Sequence, residues 1–276
     1  MKLKEGFNLN ISNDEYHSDQ SYDSSSTLKM ALKDINDYYQ QRILGNKRSF
    51  GNQGALDLGS YVHALILEPH VIKDEFIIYE GIMKEGEDWD LFLANNDTEN
   101  KIIITKSQHD EAKKLLENFY KATIINEEGK GELVNNFFVG GDAEQSLCTT
   151  LNGLKIKVRF DYRKEIDQNG KVRGQISDVK TTSSAIRGKK DVEKVCKSWE
   201  YDLSAALYKD AVEKITGIPH DFYFCFISKQ DRGTTFWKAS DKMIERGRKK
   251  YKEAIRKLKK ARKTNVWVEC GVKEID

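Results

Sequence analysis

Polar and apolar residues alternate along residues 154–163, which read Leu-Lys-Ile-Lys-Val-Arg-Phe-Asp-Tyr-Arg. A period of two is typical of a β-strand that buries one face. The dipeptide Asn169-Gly170 follows, and it suits the two-residue turn that joins antiparallel strands. The pattern therefore predicts a β-hairpin whose second strand covers residues 172–181.

The turn also sets the register of this hairpin. With a two-residue loop, Gln168 lies opposite Lys171, and the continued register brings Asp161 opposite Asp178. The Cβ atoms of the two aspartates would then be about 5 Å apart. Lys180 projects from the same face, two residues further on. A slip of one residue would destroy this arrangement, because each side chain would change face.

Helical spacing and capping residues predict several helices elsewhere. Ser and Thr at 24–27 suit the start of the first, and Pro69 ends the second. The predicted helices cover residues 28–43, 54–68, 106–124, 189–216 and 238–262. Further strands are predicted at residues 76–79, 144–151 and 221–228, whereas residues 46–52 and the acidic stretch 81–100 are predicted to be irregular.

The order of these elements predicts an α/β fold. The strand at 144–151 forms a meander with the hairpin, and the aromatic-rich strand at 221–228 suits a buried position in the same sheet. Helices precede and follow the strands, as in a layered domain. We expect one domain over residues 1–276, with helical elements at its N-terminal end and a basic helix near its C-terminal end.

Two facing carboxylates repel each other unless a positive charge neutralises them. A hard divalent cation such as Mg²⁺ would turn Asp161 and Asp178 into a binding site, because it prefers oxygen ligands. Lys180 could then orient a water or stabilise charge that develops on a phosphate. The alternative is a surface hairpin on which Lys157, Arg159 and Lys180 simply neutralise the acids.

Composition indicates a folded globular protein. The chain has 276 residues, of which 38% are hydrophobic and 33% charged, and its net charge is +2. Its sequence contains no apolar run of about 20 residues, and the first residues lack the apolar core of a secretory signal. We therefore expect a cytoplasmic protein with no membrane partner. The four cysteines are scattered, so we expect free thiols rather than a cysteine-held metal.

The charges are unevenly distributed along the chain. Residues 74–99 are rich in Asp and Glu, whereas residues 242–263 are rich in Lys and Arg. Near-neutrality therefore does not exclude a polyanionic partner. The alternative for the basic stretch is a solvated helix face.

An ordered set of motifs resembles a known family. It comprises Gly59-Ser-Tyr-Val-His63 with Glu68-Pro69, then Glu144, then Lys157-Val-Arg159-Phe-Asp161, then Asp178-Val-Lys180-Thr-Thr182, and finally Tyr201-Asp-Leu-Ser-Ala-Ala-Leu-Tyr208. Asp-x-Lys alone is unspecific, but the ordered set with a histidine helix upstream is not. The chain resembles the PD-(D/E)xK nuclease superfamily, and within it the phage and prophage exodeoxyribonuclease VIII (RecE-like) family. The resemblance covers most of the chain and implies a central mixed β-sheet with a restriction-endonuclease-like core.

The resemblance implies a metal-dependent deoxyribonuclease with Asp161, Asp178 and Lys180 as its catalytic residues. Asp161, Asp178 and the carbonyl of Val179 would bind Mg²⁺, with Mn²⁺ as a substitute. His63 and Glu144 would join them as further metal ligands, and Lys180 would position the attacking water. From their local patterns alone, His63 also suits a hydrogen-bonded core position and Glu144 an edge position facing water.

Residues near this set are candidates for DNA contact. They are Ser26, Thr27, Arg159, Thr181, Thr182 and Tyr208. Hydroxyl groups beside a metal can contact phosphate, and the helix that begins after Ser26 and Thr27 can present its N-terminus to phosphate. Each has an alternative reading as a helix cap, a strand residue or a packing residue.

The resemblance also implies partners. Relatives degrade linear double-stranded DNA from its ends, 5′ to 3′, in phage-type recombination within a bacterial host cell. They leave a single strand for a single-strand annealing recombination protein, and ring-shaped homo-oligomers are expected. Ser204 stands where relatives carry a glutamine, which puts a DNA contact at that position in doubt.

Two alternative functions remain open at the level of sequence. One is a DNA-binding or scaffold protein that keeps the nuclease fold without turnover. The other is a nuclease of the same superfamily that works in CRISPR adaptation or beside a helicase. Such relatives often hold an iron–sulfur cluster on four cysteines, one of them before the histidine helix. No cysteine precedes Cys148, so no iron–sulfur cluster is expected.

Overall fold

A computed structural model describes residues 2–9, 11–46, 53–81, 83–125 and 129–268. The strands are β1 (Gly6–Asn8), β2 (Phe76–Tyr79), β3 (Ile102–Thr105), β4 (Thr123–Ile125), β5 (Gly131–Leu133), β6 (Asp142–Leu151), β7 (Leu154–Gln168), β8 (Lys171–Thr182), β9 (His220–Ser228) and β10 (Thr234–Lys238). The helices are α1 (Asn13–Ser18), α2 (Ser25–Lys33), α3 (Ile35–Tyr38), α4 (Gln53–Leu67), α5 (Ile72–Glu75), α6 (Glu87–Asn95), α7 (Lys106–Lys121), α8 (Lys189–Ser198), α9 (Tyr201–Thr216) and α10 (Asp241–Thr264). Cys270 and most of the loop predicted at 46–52 lie outside the described residues.

The central sheet has the strand order β1-β6-β7-β8-β9-β10. β6, β7 and β8 form the predicted antiparallel meander, and β9 runs parallel to β8. β1 and β10 pair antiparallel at the two edges. The predicted α/β fold with a central mixed sheet flanked by helices is therefore confirmed. The sequence pattern does not predict the edge strand β1, because a strand of three residues is too short to show a period of two.

The predicted register of the hairpin is confirmed. Pairs run from Gln168 opposite Lys171 to Tyr162 opposite Ser177. Asn169 and Gly170 have φ values of 57° and 81°, the left-handed backbone that a two-residue hairpin turn requires. The turn dipeptide is therefore sufficient to set the pairing over the outer part of the ribbon.

Asp34 interrupts the first predicted helix. Its backbone is extended, and its N–H donates to Met30 O at the end of α2. Its carboxylate accepts a hydrogen bond of 2.8 Å from Asn36 N at the start of α3. One aspartate thus ends a helix and begins the next, and the apolar spacing over 28–43 conceals this break.

Three other predicted elements differ from the structure. The helix predicted over 189–216 is split into α8 and α9, because Glu200 takes a left-handed conformation (φ 51°) between them. The helix predicted over 106–124 ends at Lys121, where the chain turns toward β4. The acidic stretch 81–100 contains α6, so its prediction as wholly irregular is wrong.

The basic helix begins later than predicted. Lys238 belongs to β10, and Ser240 caps α10 by accepting a hydrogen bond from Met243 N at 3.3 Å. The prediction of a helix from 238 merges the end of this strand with the helix and misses Ser240, an N-cap residue that marks the start of α10. The helix predicted over 54–68 agrees with α4 to within one residue at each end.

Apolar side chains pack on both faces of the central sheet. β9 shows this most clearly, because Phe222, Phe224 and Phe226 face one core while Cys225 and Ile227 face the other. Helices α2, α9 and α10 cover the first core, and α4 and α7 cover the second. The central strands are therefore buried on both sides.

Two short ladders lie outside the central sheet. β2 and β3 pair parallel, whereas β4 and β5 pair antiparallel. Among the described residues, no helix is long and apolar enough to cross a bilayer.

The contact between α9 and α10 leaves no room for a side chain at Gly247. A Cβ atom built there would lie 1.9 Å from the carbonyl oxygen of Asp202. We expect Gly247→Ala to lower the free energy of unfolding by about 3 kcal/mol, because two packed helices must separate. Urea denaturation measures this effect.

Gly131→Ala is the matched control. A Cβ atom at the exposed Gly131, the first residue of β5, would meet nothing within 4 Å, so this change should alter the free energy of unfolding by less than about 0.5 kcal/mol. Equal stabilities for the two variants would contradict the close contact between α9 and α10.

Candidate metal and catalytic site

The pairing of β6 with β7 is interrupted at Glu144 and Asp161. Pairs are formed on both sides of this position, but not between these two residues. Glu144 has a left-handed backbone (φ 50°), which is uncommon for a residue with a side chain. Such irregularities cluster at functional sites, where they redirect side chains.

The neighbours of Asp161 point to opposite faces of the sheet. The Phe160 ring packs edge-on against Tyr208 on α9, whereas the Tyr162 ring packs against Phe138 in the other core. A regular strand would send both rings to the same face. Asp161 therefore lies where β7 switches faces, and residues from both layers can reach it.

A histidine and two carboxylates converge at this irregularity. His63, which α4 supplies, lies with its Nε2 3.1 Å from Asp161 Oδ2 and its Nδ1 3.5 Å from Glu144 Oε1. One ligand atom from each of the three residues lies within 4.8 Å of the others. The structure thus brings together three of the residues predicted to hold a metal.

Lys180 links this cluster to Asp178. Its Nζ lies 2.7 Å from Asp178 Oδ2 and 3.4 Å from Asp161 Oδ2. The same Nζ donates to the carbonyl oxygen of Val179 at 3.2 Å. The Val179 N–H donates to Asp161 Oδ2 at 2.8 Å. The predicted convergence of Asp161, Asp178 and Lys180 is therefore present.

Two buried carboxylate oxygens of the site accept no hydrogen bond. They are Glu144 Oε1 and Asp178 Oδ2. Asp178 Oδ2 touches the Lys180 ammonium, but without the alignment of a hydrogen bond. An unsatisfied buried carboxylate oxygen is costly. A divalent cation takes such oxygens as ligands, so the donor set fits a metal.

The electrostatics of the site shift the pKa values of its acids in opposite directions. Burial raises the pKa of Asp161, but the charges of Lys180 and His63 lower it more, and the net result is well below the ordinary value. Burial lowers the pKa of His63, but Asp161 and Glu144 raise it above its ordinary value. The same two opposing effects leave the pKa of Lys180 well above its ordinary value, with Asp161 and Asp178 as the raising charges.

Glu144 and Asp178 are shifted in the opposite direction to Asp161. Burial and then the charge of Asp161 raise the pKa of Glu144 to about 7. Burial is also the main cause for Asp178, whose pKa rises to about 6 because the lowering effect of Lys180 is smaller than the penalty of burial. Carboxylates that resist ionisation in this way are poised for a cation that would replace the missing solvation.

Arg159 neutralises one of these acids. Its Nε donates to Glu144 Oε2 at 2.6 Å, and its guanidinium lies over the Tyr16 ring. Arg159 is one of the residues predicted to contact DNA, and the structure places it in an ion pair with Glu144, a member of the cluster of His63, Glu144 and Asp161.

The hydroxyl residues predicted for DNA contact lie around the site in different roles. Thr27 Oγ1 accepts a hydrogen bond of 2.8 Å from Ser24 N in the capping box of α2, and Thr27 is buried. The exposed Ser26 Oγ lies 2.8 Å from Ser24 Oγ. The structure thus shows a capping role for Thr27, whereas Ser26 contacts the N-cap residue Ser24.

Thr181, Thr182 and Tyr208 have other contacts. Thr181 Oγ1 would lie 3.0 Å from a Cβ atom at Gly59, so this glycine lets α4 approach β8. Thr182 Oγ1 accepts a hydrogen bond from Ser184 N at 3.1 Å. The Tyr208 ring packs against Phe160 and Phe222, and burial raises its pKa. Ser204, at the position where relatives carry glutamine, is buried on the same helix.

Lys29 and Tyr201 belong to the site although the sequence pattern did not single them out as functional residues. Lys29 Nζ lies 5.1 Å from the centre of the Tyr201 ring, and Lys180 Nζ lies 5.9 Å from the same centre. Burial and the charge of Lys180 lower the pKa of Lys29 to about 8. The position of Lys29 on α2 depends on helix packing against α9, which no local pattern reveals.

A family model matches most of this chain, and a solved structure shares its fold. A family model described as "PDDEXK-like domain of unknown function (DUF3799)" matches residues 24–275. Among solved structures, the chain is similar to a protein from Eubacterium rectale named "Putative exonuclease", with a TM-score of 0.60 and 17% identity over 96% of this chain and 88% of that chain. A protein named SSO0001 aligns with a TM-score of 0.30 and 14% identity, over 89% of this chain and 88% of that chain. No curated protein matches the sequence.

The raised pKa values predict that divalent cations bind more tightly at higher pH. The pKa values of Glu144 and Asp178 are raised to about 7 and about 6. Without a metal, the folded protein therefore loses stability as pH rises from the ordinary pKa values of these acids to the raised ones. A cation competes with these protons, so its affinity should be about tenfold higher at pH 8 than at pH 6. Thermal shift titrations with Mg²⁺ or Mn²⁺ at both pH values measure the difference.

Glu144→Gln should weaken this pH dependence, because it removes the acid with the higher of the two pKa values. Asp221→Asn is a suitable control, since Asp221 pairs with Lys238 away from the cluster. Equal cation affinities at pH 6 and pH 8 for the unaltered chain would contradict the assignment.

Proposed function

Because this chain belongs to the family described as PDDEXK-like domain of unknown function, we propose that it is a divalent-cation-dependent deoxyribonuclease. It hydrolyses phosphodiester bonds of linear double-stranded DNA, working from an end. The observation that carries this proposal is the contact of one ammonium, Lys180, with two buried aspartates beside a histidine and a glutamate.

The proposed metal-holding groups are the carboxylates of Asp161, Asp178 and Glu144, the imidazole of His63 and the carbonyl of Val179. Two unsatisfied carboxylate oxygens support this assignment. When bound, a divalent cation such as Mg²⁺, or Mn²⁺ in its place, lowers the pKa of water and offsets negative charge on the scissile phosphate.

Lys180 acts in its protonated form. The two aspartates hold its pKa well above the ordinary value, so it donates hydrogen bonds rather than accepting a proton. In this role it orients the attacking water and stabilises negative charge that develops on the phosphate oxygens. His63 stays close to Asp161 Oδ2, which limits the rotation of that carboxylate.

Positive charge for DNA attraction comes from several lysines and arginines, but α10 supplies less than its composition indicates. Arg246 pairs with Asp202 and Arg248 with Asp210, both on α9. Arg262 pairs with Asp23, so α10 is also fixed to the N-terminal region. These side chains fasten the helix to the domain, and we propose that its remaining exposed lysines contribute to a salt-dependent attraction.

The finer features of the proposal follow the family resemblance. They are membership of the RecE-like group, digestion from 5′ to 3′, supply of a strand to a single-strand annealing protein, and assembly into ring-shaped homo-oligomers during phage-type recombination. Of the six predicted DNA contacts, Ser26, Arg159, Thr181 and Thr182 are the proposed ones, whereas the buried Thr27 caps α2 and Tyr208 packs against Phe160 and Phe222. Arg159 would act through its ion pair with Glu144 as well.

Digestion of end-labelled linear and closed circular duplex tests the proposal. With Mg²⁺ the unaltered chain should consume linear duplex and leave circles intact, and Asp178→Ala should consume neither, because a ligand is lost. Chelation of the metal should stop digestion. Cleavage of intact circles would refute end-dependence, and full-length linear DNA at high protein and metal concentrations would favour a binding protein without turnover.

Lys180→Ala separates cation binding from chemistry. Removing this donor should slow cleavage by about 10²-fold to 10³-fold, whereas the cation-induced thermal shift should remain, since Lys180 is not a ligand. Lys209→Ala is a control on α9, where Lys209 pairs with Glu213. Near-normal cleavage by Lys180→Ala would remove Lys180 from the mechanism.

A further inference from the structure

A groove lies at the end of β8, beside the proposed active site. Its volume is about 340 Å³, comparable to the smaller ligand-binding clefts of proteins. Its walls come from the loop after β8, from α8 and from the β9–β10 turn. Its lining includes Ser183, Ser184, Asp191, Lys194, Ser198 and Trp199.

Trp199 is the unusual member of this set. Its relative exposure is 63%, although tryptophan is mostly buried in folded proteins. It lies in the break between α8 and α9, and its backbone N–H donates to Val195 O at 3.2 Å. An exposed indole ring at the mouth of a polar groove is available for stacking.

The break that carries Trp199 is held firmly. Glu200 follows in a left-handed conformation (φ 51°), and its carboxylate pairs with Lys250 on α10. Asp202 pairs with the same lysine at 2.9 Å and with Arg246 at 2.5 Å. A strained residue secured by ion pairs indicates that the position of this break matters.

The groove adjoins the acids along the chain. Ser183 follows Lys180 by three residues, so the two Cα atoms are at most about 10 Å apart. On the other side, Tyr201 follows Trp199 by two residues, and its ring lies 5.9 Å from Lys180 Nζ. The groove therefore lies within a few nucleotides of the acids along a DNA strand.

The lining suits a nucleotide rather than a purely apolar ligand. The indole offers a face for a base, and the hydroxyl of Ser183 and the ammonium of the exposed Lys194 offer donors for a phosphate. The Ser198 hydroxyl already donates to Lys194 O at 2.9 Å. Asp191 is the one acid in the lining, and its Oδ2 already accepts a hydrogen bond from Arg187 N at 3.0 Å. The loop itself is fixed, since Ser228 Oγ donates to Ser184 O at 2.9 Å.

We propose that this groove is a subsite for one nucleotide of the DNA strand that passes the acids, with its base stacked on Trp199 and its phosphate near Lys194. This inference rests on the proposed function, because it takes DNA as the substrate. It adds a position on the enzyme, beside the acids, at which an unpaired base is held without sequence readout.

Binding of a fluorescein-labelled single-stranded oligonucleotide, followed by anisotropy with metal chelated, tests the subsite. Trp199→Ala should weaken binding by about fivefold to a hundredfold, the range for losing one stacked base. Trp199→Phe should restore most of the affinity. Tyr120→Ala is the matched control, since Tyr120 is also an exposed aromatic residue (46%) but lies outside the groove.

An abasic scan identifies the nucleotide. In the unaltered chain, one abasic position near the cleaved end should weaken binding, and Trp199→Ala should bind that oligonucleotide and the intact one equally. Lys194→Ala should reduce the slope of log K against log salt by about 0.7, the value for one phosphate contact on a single strand. Unchanged melting temperatures would show that these surface variants are folded.

The outcomes separate the subsite from the proposed function. Cleavage by the unaltered chain with normal binding by Trp199→Ala overturns the subsite alone. Trp199-dependent binding without metal-dependent cleavage supports the subsite and overturns the proposed hydrolysis. Absence of oligonucleotide binding by the unaltered chain overturns the subsite, and an abasic penalty that persists in Trp199→Ala does the same.

Discussion

The placement of an ammonium among buried carboxylates is the constraint on which the site depends. Asp161, Asp178 and Glu144 are gathered in an environment that resists their ionisation, and Lys180 with His63 and Arg159 supplies the compensating charge. Without these cations the acids would be protonated or the strands would separate. These charges compensate the acids within the protein, and the proposed divalent cation would take as ligands two of their oxygens that accept no hydrogen bond from the described residues.

Several features of the fold serve this arrangement. β8 brings Asp178 and Lys180 to the site, and β7 brings Asp161 at the point where its faces switch. α4 approaches closely enough to deliver His63 because Gly59 has no side chain to meet Thr181. On the opposite side, α10 holds α9 through Asp202 and Asp210, which keeps Tyr201 beside Lys180. Residues far apart in sequence are thus positioned by packing on both faces of one sheet.

The elements that local interactions determine are the ones that the sequence predicts best. The dipeptide Asn169-Gly170 predicts the hairpin register as far as Tyr162 opposite Ser177, and beside this pair Lys180 contacts both Asp161 and Asp178. The sequence predicts least well the features that depend on tertiary packing or on a single backbone angle. The left-handed Glu200 splits a helix that apolar spacing presents as continuous, and Lys29 reaches the site only because α2 packs against α9. The interrupted pairing at Glu144 belongs to the same class, since side-chain alternation gives no sign of it.

The hairpin of β7 and β8 reaches beyond both of its neighbours. β6 pairs with β7 only as far as Arg163, and β9 pairs with β8 only from Gly174 onward. Ile166 and Val172 are exposed near its tip, at 37% and 42%. Exposed tips of this kind tolerate insertions, and this one is separated from the acids by several paired residues. A peptide tag or a small fluorescent domain introduced between Asn169 and Gly170 would therefore extend a ribbon that points away from the chemistry, which makes the hairpin a natural attachment point for following the protein in the cell.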